Sequence, residues 1–234
     1  MKKMMMKKLL NKKVSIAFAV ALVMSSLLFS CNSINPRRSV VKLIGNGHKC
    51  SGEQVVVSSG HQYILTAGHC IVLANNLNTI TVHTEDGRII ERSIIADDPN
   101  SDLLLLEGVP NLPALELANS DYPTEHVRTF THGAGFETYK TEGELIEKHV
   151  IQIQMNLGVC VKDLPKYKNT IGALFPTCVF EAEFYITNAR ATHGSSGGLV
   201  VNDNNKLVGV ISAGNDDFTL IVPIDSIHKF LDNY

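Results

Sequence analysis

Thr66-Ala67-Gly68-His69-Cys70 is the stretch on which the fold reading turns. It closes an apolar run, Tyr63-Ile64-Leu65-Thr66, with two small residues that let a strand turn sharply and leave the imidazole facing a cleft. Working outward, two further stretches complete a chemical set. Asp102, preceded by Ser101, opens the run Leu103-Leu104-Leu105-Leu106. A carboxylate at the mouth of a buried strand is costly unless hydrogen-bonded, which is what a histidine-orienting acid both provides and requires. Gly194-Ser195-Ser196-Gly197-Gly198 runs straight into Leu199-Val200-Val201, a strand that would rigidify the glycine-rich bend. A serine hydroxyl is a poor nucleophile until a base removes its proton, and a histidine base needs its tautomer fixed by a carboxylate.

The chain order His, Asp, Ser and the residues around each resemble the trypsin/chymotrypsin-fold serine proteases, nearest to the bacterial HtrA-type and glutamyl-endopeptidase-type branches. The resemblance implies an all-β fold: two six-stranded antiparallel β-barrels, chymotrypsin-like, with a short C-terminal helix. It implies His69 as base, Asp102 as the orienting acid ahead of Asp97 and Asp98, and Ser196 as nucleophile ahead of Ser195. The N–H groups of Gly194 and Ser196 would form the oxyanion hole. Ser212-Ala213-Gly214 would be the edge that pairs with substrate backbone. Arg190 falls where the specificity pocket is floored, with Thr192 and His193 near its entrance, which would favour an acidic side chain before the cut. An outward-facing Arg190 and a preference for small aliphatic residues is the competing reading.

One departure from the trypsin pattern is informative. Trypsin-like zymogens carry an aspartate just before the nucleophile, where this chain has Ser195, and no Arg/Lys-Ile-Val-Gly cleavage site is present. Activity without zymogen cleavage is the expectation. The function implied is a serine endopeptidase acting on polypeptides through an acyl-enzyme, with neither metal nor organic cofactor. A catalytically inactive adhesion or peptide-binding lipoprotein and an esterase on the same scaffold are the rivals.

From Val40 onward, short apolar and β-branched segments alternate with turn residues at about ten-residue intervals, the pattern of an all-β barrel or sandwich. Candidate strands are 39–44, 53–58, 61–66, 79–84, 88–95 and 102–107, then 127–132, 144–154, 179–186, 198–201, 207–212 and 218–222. Glu85-Asp86-Gly87 and Asn202-Asp203-Asn204-Asn205 have the composition of hairpin turns. Pro110, Pro113 and Pro123 mark a connector at about 110–126. Ile224, Ile227, Phe230 and Leu231 carry helical spacing over 224–234, with Asp225 or Ser226 as a cap. The domains predicted are a leader over 1–31, a first barrel over 32–118 with the histidine and aspartate, and a second over 119–234 with the serine, the pocket and the helix.

Lys2, Lys3, Lys7, Lys8, Lys12 and Lys13 precede an apolar run from Val14 to Phe29, shorter than the roughly 20 residues needed to span a bilayer. The run ends in Leu28-Phe29-Ser30-Cys31, which resembles a bacterial lipobox and implies cleavage to leave Cys31 as a lipidated N-terminus. The chain is then lipid-anchored in the bacterial cell envelope, at the outer membrane or cell surface; without the lipid it would be periplasmic or secreted. The whole chain has a net charge of −2, and loss of the leader lysines makes it more acidic, which disfavours nucleic acid as a partner. Of the five cysteines, Cys31 goes to lipid and four remain, allowing three pairings. The family resemblance implies a Cys50–Cys70 disulfide tying the histidine loop to the preceding strand. Cys160 and Cys178 flank a stretch containing Pro165, Lys166, Asn169, Thr170 and Gly172, for which a staple across a long surface loop is the natural use.

Overall fold

The computed structural model describes residues 34–75, 78–98, 100–119, 126–133, 137–155, 178–214 and 217–234, without side-chain surroundings for 147–155 and 178–182. The leader with Cys31, the connector's Pro123, and the proposed Cys160–Cys178 bridge lie outside what is described.

Thirteen strands are described. The first seven are β1 (Val40–Gly45), β2 (His48–Val56), β3 (Gln62–Ala67), β4 (Thr79–Thr84), β5 (Ile89–Asp98), β6 (Leu103–Glu107) and the two-residue β7 (Leu115–Glu116). They lie in the order β1-β4-β5-β6-β3-β2-β7, and β1 also pairs antiparallel with β2. That last pairing closes six strands into a barrel, and β7 is appended parallel to β2. The other strands are β8 (His126–Thr131), β9 (Tyr139–Met155), β10 (Cys178–Thr187), β11 (Leu199–Val201), β12 (Leu207–Gly214) and β13 (Thr219–Pro223). They close as β10-β13-β12-β11-β8-β9. The expected pair of six-stranded antiparallel barrels is the observed fold.

The start of β2 differs from expectation. The strand predicted over 53–58 begins at His48, because Asn46 and Gly47 form a tight hairpin between Gly45 and His48 with φ of 48° and 79°. Two successive positive φ values give the turn that matches strand twist, and Asn-Gly supplies them at low steric cost. Cys50 and Ser51 therefore belong to a strand, with buried side chains.

Leu103 to Leu106 explain how the barrels meet. All four are fully buried. Leu104 and Leu106 point into the core inside the first barrel, with Ile64, Ile80 and Val82. Leu103 and Leu105 belong to a second core, shared with Val127, Phe184, Leu199 and Val210 of the other barrel. A strand covered on both faces needs a continuous apolar run instead of alternation, and each buried leucine contributes about 1.5–3 kcal/mol.

The terminal helix α1 (Ile224–Leu231) buries Ile224, Ile227, Phe230 and Leu231 against the shared core. It is shorter than predicted, and neither Asp225 nor Ser226 caps it. Pro223 occupies the N-cap in an extended conformation with no side-chain capping bond, so Asp225 falls inside the first turn. There its charge still suits the positive end of the helix.

Candidate active site

His69 is presented by a short 3₁₀ turn, Gly68–Leu73, that continues directly from β3. A disulfide between Cys50 of β2 and Cys70 fastens this turn to the barrel wall, as the resemblance implied. His69 is 6% exposed and Asp102 only 2%, so both groups are screened from bulk water.

Asp102 stands immediately before β6 with φ of 52°, a left-handed conformation that aspartate tolerates better than most residues. From there its backbone and side chain both serve the histidine turn. The Asp102 carbonyl accepts the Gly68 N–H at 2.8 Å, and Oδ1 accepts the His69 N–H at 2.8 Å. His69 Nδ1 lies 3.1 Å from both carboxylate oxygens. Ser212 Oγ donates to Oδ2 at 2.5 Å. An ionised carboxylate is acceptor-only, so this arrangement holds the proton on Nδ1 and leaves Nε2 with a free lone pair.

Ser212 lies in β12 where the pairing with β13 shifts register between Ile211 and Ala213. Such a bulge re-aims a side chain, and here it delivers a hydroxyl from the second barrel to a carboxylate of the first. The resemblance assigned Ser212 to the substrate edge and missed this contact. A lone hydroxyl in Val210-Ile211-Ser212-Ala213 was the available signal, since a buried hydroxyl requires a partner.

Ser196 is half-buried and sits between two glycines of positive φ, Gly194 at 88° and Gly197 at 78°. A Cβ on Gly197 would collide with Thr66 Oγ1 and the Ser51 carbonyl, so only glycine lets the loop come this close to the first barrel. Ser51 then clasps the loop twice. Its N–H donates to the Ser196 carbonyl at 2.7 Å, and its Oγ donates to the Gly194 carbonyl at 2.8 Å. The same oxygen accepts the His132 N–H at 2.8 Å.

These contacts tie the Ser196 loop to the wall of the first barrel. Cys70 Sγ lies 3.9 Å from the Ser196 carbonyl oxygen, and a His69 ring nitrogen lies within 4.8 Å of that sulfur. No hydrogen bond joins Ser196 Oγ to His69 among the described residues; such contacts are often long before substrate is bound. The N–H groups of Gly194 and Ser196 have no acceptor among the described residues. The disulfide occupies both sulfurs near His69, so they offer no thiolate to a metal.

The specificity residues are more open: Arg190, Thr192 and His193 are exposed. The Arg190 carbonyl accepts a bond from Thr141 Oγ1 at 3.0 Å. Ala213 is half-buried and Gly214 exposed at the end of β12, whereas Ser212 is buried.

Residues 50–210 match the family model of the trypsin-like peptidase domain, more than half of the chain. The chain belongs to that family. It is 27% identical over 176 residues to the periplasmic serine endoprotease DegP of Salmonella typhimurium, covering 72% of the chain and 33% of that protein. It is 32% identical over 143 residues to a probable DegP-like periplasmic endoprotease of Buchnera aphidicola, covering 60% of the chain and 26% of the relative. The trypsin-like peptidase thus spans a third or less of the length of these curated relatives. Among solved structures it resembles the active form of the Rv3671c protease of M. tuberculosis, with TM-score 0.63, 19% identity, and coverage of 84% and 81% of the two chains. A serine endoprotease from Yersinia pestis gives TM-score 0.60 at 20% identity, over 85% and 63%. At that identity the structural likeness speaks for the fold alone.

Proposed function

We propose that this peptidase is a serine endopeptidase acting through Ser196, His69 and Asp102. His69 Nε2 takes the Ser196 proton as the oxygen attacks a peptide carbonyl, and then gives it to the leaving amine. Asp102 keeps Nδ1 protonated and steadies the imidazolium. The Gly194 and Ser196 N–H groups receive the negative charge that develops on the carbonyl oxygen. Water releases the acyl group by the same route in reverse.

The observation that carries this reading is the Asp102 carboxylate, held by the His69 backbone, the His69 ring and Ser212 at once. A structural histidine has no need of three donors converging on one acid. Substrate would lie along Ser212-Ala213-Gly214 as an added strand, gaining affinity from backbone bonds with little sequence preference. Ser195 in place of an aspartate supports activity without zymogen cleavage. The lipobox-like Leu28-Phe29-Ser30-Cys31 supports anchoring of the mature chain to the envelope by lipid on Cys31.

An organophosphonate or sulfonyl fluoride tests the chemistry. The purified protein is expected to be modified at Ser196 and to digest an unfolded polypeptide, while Ser196→Ala does neither. Well-folded wild-type protein that resists the label would return the chain to a binding role. Labelling without peptide cleavage would leave an esterase.

A further inference from the structure

Ser195 is 1% exposed, and every polar group of its residue is engaged. Its hydroxyl lies 2.9 Å from Tyr139 Oη and 3.2 Å from Thr131 Oγ1, and it accepts the Thr192 N–H at 3.1 Å. The Ser195 N–H returns to the Thr192 carbonyl at 2.9 Å, so residues 192 and 195 bond reciprocally. Tyr139 Oη also meets Thr192 Oγ1 at 3.0 Å. A Cβ on Gly133 would collide with the Tyr139 ring and Thr192 Oγ1, so the site is cut to the shape of this phenol.

The consequence lies in which peptide groups are fixed. The Ser195 carbonyl accepts the Gly198 N–H at 2.8 Å, and in a trans peptide the Ser196 N–H must then point the opposite way, out of the loop. The Gly194 carbonyl is held by Ser51 Oγ. The peptide that carries the Gly194 N–H is different: neither that N–H nor the His193 carbonyl is held among the described residues. Its direction depends on the turn around it, and that turn is tied at both ends to one phenol. Burial would raise the Tyr139 pKa, yet the bonds with Ser195, Thr131 and Thr192 together bring it below its ordinary value.

We propose that Tyr139 is a positioning residue: by bridging Thr192 and Ser195 it keeps the Gly194 N–H aimed into the cleft, using uncharged hydroxyls where an ion pair to a new chain terminus would otherwise serve. This rests on the serine endopeptidase reading. Nothing is bonded covalently or titrated in the process. The contribution is preorganisation, a donor fixed before the oxyanion forms.

The test uses the full-length processed protein, its Tyr139→Phe variant and a peptidyl trifluoromethyl ketone, which adds to the nucleophile as a hemiketal whose oxygen occupies the oxyanion site. Tyr139→Phe is expected to lower kcat about 10- to 100-fold with KM changed less than about threefold, since one oxyanion donor is misdirected but not removed. The hemiketal oxygen, followed by fluorine NMR, should ionise at higher pH than in wild type. Thr131→Val, which loses the hydroxyl at nearly constant shape, should shift both readouts the same way by less, and Thr131→Ser should restore them; these variants carry the test if Tyr139→Phe folds poorly. A lower Tm with kcat and hemiketal ionisation unchanged per titrated active site would overturn the positioning role alone. Wild-type protein that forms no hemiketal would overturn the endopeptidase reading, and this proposal with it.

Discussion

The first barrel fixes His69 with a carboxylate and a disulfide, whereas the second fixes Ser196 with neutral hydroxyls and backbone carbonyls. The contrast follows from the charges each half must meet. In the proposed mechanism the imidazole becomes cationic and needs a permanent anion beside it, and Asp102 is fastened by three donors. A loop proposed to attract a developing anion is better held without a carboxylate, because an unpaired negative charge at position 195 would oppose that oxyanion. Ser195 with Tyr139, Thr131 and Thr192 gives rigidity and no net charge. Each barrel also reaches into the other's half: Ser212 bonds the Asp102 carboxylate, and Ser51 clasps the Ser196 loop.

Asp102→Asn attacks the charged half most directly. It keeps the volume but replaces an acceptor-only group by one that also donates, so His69 takes the wrong tautomer. A loss of kcat of about 10⁴-fold is expected, with little change in Tm. Activity within tenfold of wild type would mean the carboxylate does not govern the base. The next largest effect should come from replacing Cys50 and Cys70 together by alanine. The bridge joins residues 20 apart in sequence, which corresponds to about 3 kcal/mol. Thermal unfolding should fall by several degrees. Because the Asp102 bonds hold the histidine turn independently, kcat per folded molecule should fall far less than in Asp102→Asn. Equal losses would show that the disulfide, and not the acid, sets the histidine geometry.

Ser51→Ala probes the crossover between the halves. It strips the Gly194 carbonyl and the His132 N–H of one shared partner in a fully buried place. Leaving buried groups unsatisfied costs about 1–3 kcal/mol, and the loop released is the one carrying Ser196. Stability and phosphonate labelling should both drop, whereas retained labelling speed would assign the loop's rigidity to the hydroxyl cluster alone.

How much of this was legible in the sequence divides along the same line. Strand pattern and the His–Asp–Ser order led to two barrels, because buried strands must be apolar and the chemistry fixes three residue types in short local motifs. The bonds that orient those motifs were not legible. Ser51, Thr131 and Tyr139 are ordinary residues in strands, and their roles depend on neighbours 56 to 143 positions away in the chain. Asn46-Gly47 was the strongest hairpin signal in the first half, and reading it would have moved the start of β2 back to His48.

Glu53 offers the finest test of how the halves meet. It lies two residues beyond Ser51 on the same face of β2, opposite Val40 and Leu65 of the core shared by both barrels. It is 0% exposed, and neither carboxylate oxygen has a hydrogen-bond partner among the described residues. Burial pushes its pKa well above the ordinary carboxyl value of 4.5, so the folded protein holds a proton that the unfolded chain releases. The stability it contributes is full below pH 4.5 and is lost as pH rises toward the folded-state pKa, at about 1.4 kcal/mol per pH unit. Glu53→Gln resembles the protonated acid and cannot ionise, so Tm in the variant should decline less steeply above pH 4.5, by on the order of 4 °C per pH unit. Parallel Tm profiles for the two proteins would mean that Glu53 titrates normally, and that water reaches the seam beside Ser51 after all.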